Sequence, residues 1–315
     1  MKVLVTGGAG FIGSQLVDAL IERGHQVVVV DNLSTGFARN LNPLASFYQM
    51  SVSDAELASV FDRERPRLVS HQAAQMIIQR SVADPVFDAS VNILGSLNVI
   101  LNCLRLGVRK IIYASSGGAV YGEPEYLPVD EKHPVNPISQ YGVSKHTVEH
   151  YLHLYAANHG LSYTVLRYPN VYGPRQNPRG EAGVVAIFAG LMLHGQRCTI
   201  FGPGNKTRDY IHVSDIVEAN ILALERGDNQ IYNLGTGVET SDQAMFDALA
   251  GVLGYRGSPI YAPMRPGEIQ RICLDASKAS RELGWQARIG LKEGLRLTTQ
   301  YYQELATQTS EGEGS

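Results

Sequence analysis

Seven residues near the amino terminus, Gly7-Gly8-Ala9-Gly10-Phe11-Ile12-Gly13, follow the β-branched run Lys2-Val3-Leu4-Val5-Thr6 and lead into Ile12, Leu16, Ala19 and Leu20 at helical spacing. A strand, a glycine-rich turn and a helix in that order constrain the fold more than any other feature of the chain. Glycines allow a tight turn and close approach of the backbone to a pyrophosphate, and the helix N-terminus offers N–H donors and positive partial charge. Asp31 ends the next β-branched run 18 residues after Gly13, near the offset of about 20 expected of a carboxylate that accepts from a ribose 2′-hydroxyl and repels a 2′-phosphate. Gly7, Gly10, Phe11, Ile12, Gly13, Asp31 and the adjoining Asn32 are therefore candidate dinucleotide-binding residues. NAD is the expected coenzyme, in preference to NADP.

Further short strands are expected at Gln26 to Val30, Leu68 to His71 and Lys110 to Ala114, with helices at Ile12 to Arg23, Asp54 to Phe61, Pro85 to Leu106 and Gln140 to Asn158. Such alternation predicts an α/β fold: a Rossmann-like, doubly wound parallel sheet with helices on both faces. After about Arg167 the chain turns Pro- and Gly-rich, as in Tyr168 to Gly183 and Phe201 to Lys206, which reads as loops over a site. The expected organisation is a dinucleotide domain over 1–167 with a returning segment near 206–238, and a smaller mixed α/β substrate domain from 168–205 and 239–306. The polar, Gly-containing stretch Thr307 to Ser315 reads as a flexible tail.

Composition removes several classes of function. Twenty-seven Lys and Arg against thirty Asp and Glu leave a net charge of −3, with no basic run to neutralise a nucleic-acid backbone. Any phosphate must be held by a local site. Cys103, Cys198 and Cys273 are odd in number and far apart, which suits neither a disulfide framework nor a zinc site and points to a reducing cytoplasm. No metal is expected. The opening apolar run is broken at Gly7 and is too short for a signal peptide, and no stretch reaches the ~18 apolar residues of a membrane span.

Tyr141 and Lys145 lie four apart in a helical pattern, so their side chains share one face. A phenol titrates near pH ~10, but an adjacent ammonium and an oxidised nicotinamide would favour the phenolate as a base. With the glycine turn upstream, this pair reads as catalytic, with Lys145 also placed to hold the nicotinamide ribose.

These residues resemble the extended short-chain dehydrogenase/reductase family, in particular its UDP-glucose 4-epimerase branch, from Val3 to about Leu297. His71-Gln72-Ala73-Ala74 is similar to the family's fourth-strand segment, placing Ala73 beside the coenzyme, and Asn92 falls where the family has a helix Asn behind the nicotinamide. Tyr113 to Gly122 resembles the fifth strand and catalytic Ser/Thr loop. Here Gly117 stands where Ser or Thr is usual, which shifts the expectation to Ser116. Ser51-Val52 likewise lacks the usual Asp before the residue that packs on adenine, leaving Val52 for that contact. Tyr168-Pro169-Asn170-Val171-Tyr172-Gly173-Pro174 resembles the loop that meets nicotinamide and substrate diphosphate, through Tyr168 and Asn170.

The resemblance further implies that Arg208 and Arg265 clamp a nucleoside diphosphate, that Glu268 takes the uridine ribose, and that Val184 and Phe201 flank uracil. The family position that sets room for an N-acetyl group maps to Ile272. Gly118-Ala119 replaces the acid pair of the related 4,6-dehydratases and disfavours dehydration. The leading expectation is a UDP-glucose/UDP-galactose 4-epimerase of galactose metabolism, working by hydride transfer to bound NAD, rotation of the 4-keto sugar and hydride return. UDP-glucuronate or UDP-N-acetylhexosamine epimerisation and a catalytically idle NAD-binding sensor are the alternatives. A homodimer through the helices at Pro85 to Leu106 and Gln140 to Asn158 is also implied.

Overall fold

The computed structural model describes residues 1–178, 183–264 and 269–312, with side chains as far as Thr307. Seven strands form one parallel sheet: β1 (Lys2–Thr6), β2 (Gln26–Asp31), β3 (Ser46–Gln49), β4 (Leu68–His71), β5 (Lys110–Ser116), β6 (Ser162–Tyr168) and, much later in the chain, Gln230–Asn233. From β1 the chain works outward through β2 to β3, then returns to place β4 on the other side of β1 and continues outward. That reversal opens a crevice at the C-terminal ends of β1 and β4, where ligands of such sheets bind.

The central strands are apolar at almost every position because both faces are covered. Val3 and Val5 of β1 face one core with Leu16 and Leu20 of α1 (Phe11–Glu22), while Leu4 faces the other with Val28, Val69 and Ile111. On the second face lie α2 (Leu57–Glu64), the helical stretch that begins with α3 (Ile78–Ala83) and α4 (Pro85–Ala89), then a π-helical turn, Ser90–Leu94, running into α5 (Gly95–Arg105), and finally α6 (Gln140–His159). Ser139 caps α6 by accepting from Gly142 N, and Gly160 ends it in the left-handed conformation.

The helix Pro85–Arg105 corrects one expectation. By length and composition it is apolar enough to cross a membrane, yet its most apolar window is 44% buried within the chain. Asp88, Asn92, Ser96 and Asn102 are all buried along it. Such inward polar groups with protein partners mark a core helix of this fold.

The remaining elements divide in two: β7 (Asn170–Tyr172), α7 (Val184–Leu193), β8 (Thr199–Phe201), β9 (Thr207–Arg208), β10 (Tyr210–His212), β12 (Thr240–Ser241), α9 (Asp242–Leu253), β13 (Ile260–Ala262) and α11 (Leu291–Gly312) form a smaller body over the crevice, whereas α8 (Val213–Ala223), β11 (the Gln230–Asn233 strand) and α10 (Ser277–Leu283) belong with the main sheet. α8 returns to the main sheet and packs on α1, while α7, α9 and α11 share a separate core of Phe188, Met192, Met245, Phe246 and Leu295. α11 runs on to Gly312, so helix continues into the segment expected to be a tail from Thr307. The amphipathic repeat before it carries the helix past the point where the apolar residues stop.

Candidate active site

The crevice encloses about 1430 Å³ between the sheet and the smaller body. At one end Gly7 adopts φ +71, and a Cβ there would lie 2.7 Å from Ala73 N. A Cβ on Gly13 would meet Gly7 O at 2.1 Å, so the loop and the first turn of α1 touch with no space for a side-chain carbon. Backbone amides thus reach the crevice directly. Asp31 accepts from Ala9 N at 3.0 Å through one oxygen and from Leu33 N at 2.8 Å through the other. The carboxylate is pinned at the crevice wall, with lone pairs left for a ribose hydroxyl. Gly7, Gly10, Phe11, Ile12, Gly13, Asp31, Asn32, Val52 and Ala73 all line this half. The cradle that only glycine fits, facing a fixed carboxylate, suits a dinucleotide.

Tyr141, Lys145 and Ser116 line the middle of the crevice. Ser116 adjoins Tyr141 closely enough for its hydroxyl to favour the phenolate. Gly117 is explained by its packing: a Cβ there would fall 2.4 Å from Leu274 Cδ1, inside a small core, so this position faces away from the crevice and Ser116 faces into it. Burial pushes the Tyr141 phenol up to about 12, with the neighbouring Ser116 hydroxyl opposing and the Asp88 charge adding. Burial also pulls Lys145 down to about 8, against the charges of Asp88 and Glu149, which favour its ammonium form. The Lys145 ammonium sits 4.7 Å from the centre of the Tyr113 ring.

Behind the pair, buried polar groups are tied into two networks. Ala73 N donates to Thr6 Oγ1 at 3.1 Å, and the Thr6 hydroxyl is 2.7 Å from His71 Nδ1. His71 Nε2 in turn meets Ser96 Oγ at 2.9 Å, and Ser96 donates to Asn92 O at 2.5 Å. Burial, with the Lys145 charge, holds His71 down at about 3, so it is neutral and its tautomer is set by this chain. In the second network Ser115 donates to Glu149 Oε1 at 2.6 Å and Arg167 donates to both Glu149 oxygens, at 3.0 and 2.5 Å. Burial would raise the Glu149 carboxyl, but hydrogen bonds from His146 and Arg167 and the Arg167 charge hold it at about 2.

Asn92 is placed behind the crevice, as the resemblance implied. It is buried in the π-helical turn and donates to Gln75 O, Asp88 Oδ1 and Ser144 Oγ while accepting from Gln75 N. Asn92 therefore braces the Gln75 loop and the base of α6. Asp88, at the same hub, was not anticipated; the signal available was its place with Asn92 and Ser96 at four-residue spacing on an otherwise apolar helix. Glu149, one turn after Lys145, was missed in the same way.

At the far end lie Tyr168, Asn170, Val184, Phe201 and Arg208, each lining the crevice as expected, joined by Gln176, Lys206, Tyr210 and Asp242, which were not anticipated. Tyr168 is fixed by Gln72 and Asn220, at 3.2 and 2.8 Å. Arg208 donates to Thr207 O at 2.7 Å. Asp209, its neighbour, is buried and accepts from the N–H groups of Thr236, Gly237 and Leu274, which gives the Asn233 to Gly237 turn a structural part. Arg265 and Glu268 lie outside the described residues. Ile272 packs with Val120, Tyr121, Val129 and Leu274 and is not in the crevice wall, whereas Ile269 is.

Residues 3–235 match the family model described as NAD dependent epimerase/dehydratase family. Among solved structures, a Thermotoga maritima UDP-glucose 4-epimerase with UDP-glucose superposes with a TM-score of 0.96 at 49% identity, covering 97% of this chain and 100% of that one. A Thermus thermophilus UDP-glucose 4-epimerase complex with NAD gives a TM-score of 0.92 at 44% identity, covering 96% and 99%. A UDP-glucose 4-epimerase of Mycolicibacterium smegmatis is 44% identical over 308 residues, 96% of this chain and 98% of that protein.

Proposed function

Since the chain belongs to the NAD-dependent epimerase/dehydratase family, we propose that it interconverts UDP-glucose and UDP-galactose by inverting carbon 4 of the hexose, with NAD as its coenzyme. The observation that carries this reading is the meeting of Ser116, Tyr141 and a buried Lys145 in one crevice with the glycine cradle and Arg208.

In the mechanism the Gly7 to Gly13 loop and the α1 N-terminus would hold the coenzyme pyrophosphate, Asp31 the adenosine ribose and Lys145 the nicotinamide ribose. When bound, the coenzyme would supply a positive charge beside the phenol and a reversible acceptor for the hydride of carbon 4. Tyr141 Oη takes the proton of the 4-hydroxyl and later gives it back. Ser116 Oγ holds that hydroxyl and the phenol in line. Arg208, with Arg265, anchors the diphosphate, Asn170 adds a phosphate contact, Val184 and Phe201 flank uracil, and Glu268 takes the uridine ribose. Firm contacts to the nucleotide with few to the hexose let the sugar rotate without dissociating.

The test is a panel of UDP-, dTDP- and GDP-hexoses, with and without N-acetyl or carboxyl groups, offered to NAD-loaded protein without added reductant. Inversion of UDP-galactose is the expected result. Failure on both UDP-hexoses would overturn the reading, and preference for the N-acetylated or acid sugar would reassign the substrate.

Two further parts of the reading rest on surfaces. α5 exposes Leu101, the preceding turn Leu94, and α6 exposes Val143 and Leu154. Leu94 and Leu101 are seven apart, as the repeat of two packed helices requires, and this supports a homodimer in which α5 and α6 of each copy pair. Sedimentation should give twice the 34.3 kDa chain mass. Three free, buried cysteines are in keeping with a cytoplasmic location.

A further inference from the structure

One pair of side chains on α6 takes no part in the chemistry above. His146 and His150 are one helical turn apart, and their Nε2 atoms approach to 3.0 Å with ring centres 4.4 Å apart, nearly edge to face. His146 Nδ1 lies 3.1 Å from Glu149 Oε2, a carboxylate already fixed by Arg167 and Ser115. With its Nδ1–H directed at that carboxylate, His146 presents the Nε2 lone pair to His150. This is the arrangement in which a carboxylate orients a metal-ligating histidine and raises its basicity.

We propose that His146 and His150 form a chelating site for a divalent transition metal on α6, with Glu149 orienting His146 from behind. At metal–imidazole distances of about 2.0–2.1 Å, two nitrogens in cis positions of a square-planar or octahedral ion are about 2.9 Å apart, and in a tetrahedral ion about 3.4 Å. The observed 3.0 Å fits the cis geometry. That favours Cu²⁺ or Ni²⁺, with Cu²⁺ first in affinity among first-row divalent ions. No third His, Cys, Asp or Glu completes a metal cluster among the described residues, so the other positions are left to exchangeable ligands. His150 is exposed on the same side of α6 as Val143 and Leu154, so in the proposed dimer the pair sits at the seam between the two copies.

The experiment is a titration of intact, NAD-loaded protein with Cu²⁺, read by electron paramagnetic resonance and calorimetry. One ion per His146–His150 pair is expected, with hyperfine structure from two imidazole nitrogens. His146→Gln and His150→Gln should each weaken binding at least about tenfold, the smallest effect seen on removing one ligand of a chelate or its support. Unchanged thermal unfolding of the His150→Gln protein, an exposed substitution, checks that it folds. The amino terminus, 3.3 Å from His25 Nδ1, is a competing nitrogen pair, so His25→Asn is titrated in parallel and should bind like wild type. Equal copper binding by wild type and His150→Gln, or binding lost with His25→Asn, would overturn the proposal. None of these readouts depends on the epimerase reading.

Discussion

The coenzyme end of the crevice and its sugar-nucleotide end are constructed in different ways. The first is made by one stretch of chain against the large sheet: Gly7 and Gly13 leave no room for a single added carbon, and both Asp31 oxygens are already engaged by backbone N–H groups. The second is assembled from short pieces far apart in sequence, with β7 paired to β10, β8 to β13 and β9 to β12 in separate two-stranded sheets. A wall of the first kind keeps a coenzyme through many turnovers. A wall of the second kind can admit and release a nucleotide while the hexose between them turns.

The comparison can be tested from its boundary outward. Tyr141→Phe, at the meeting of the two ends, should lower UDP-galactose turnover by roughly 10²–10⁴-fold, the usual span for loss of a positioned acid-base group. NAD affinity, measured by calorimetry, should hardly change, and a mutant as fast as wild type would remove the tyrosine from the reaction. Gly13→Ala should cost about 1–3 kcal/mol of stability through overpacking, seen as a lower melting temperature with loss of retained NAD. A melting curve and coenzyme content equal to wild type would mean that the cradle is looser than its 2.1 Å gap implies.

At the other end, Arg208→Ala should raise KM for UDP-galactose about 10–100-fold, since charge-assisted hydrogen bonds are worth about 1.5–3 kcal/mol. Coenzyme retention should be untouched; if NAD were lost instead, the two ends would not be separable. The mildest effect concerns pH. Lys145 lies well below an ordinary lysine, at about 8, so as pH rises it loses its proton earlier than a surface lysine would. Activity that needs the ammonium is then intact on the acid side and half gone near pH 8, whereas an alkaline limb near ~10 would mean that the lysine is effectively solvated.

Legibility in the sequence follows the same division. Lys2–Thr6, the glycine run, Asp31 and the Tyr141–Lys145 spacing are contiguous or periodic signals; the structure makes Lys2–Thr6 the strand leading into the crevice and places Gly7, Gly10, Gly13, Asp31, Tyr141 and Lys145 along it. Ser116 was legible only through the peculiarity at Gly117, and the reason for that peculiarity, the Leu274 side chain, is 157 residues away. Asn92 was legible in location but not in partners, because the Gln75, Asp88 and Ser144 groups it bonds are scattered through the sequence. Gln176 and Lys206 lie in segments with no periodicity and Asp242 opens α9, and only the folded chain brings the three to the crevice. Nothing local says whether an apolar residue such as Ile272 lines a cavity or fills a core.

Leu274 also bridges to Val129 and donates its amide to Asp209. A wedge delivered from the last fifth of the chain therefore sets the angle at which the fifth strand ends, although it contributes no atom to the reaction. A protein cut short before it would still encode every strand of the parallel sheet, the coenzyme turn and the tyrosine, yet would lack the wedge behind Ser116 and, with it, Ala279, Leu283 and Trp285 from the core beneath the sheet. The carboxy-terminal stretch thus finishes both the support of the sheet and the aim of the serine, two tasks that no shorter chain of this sequence could divide.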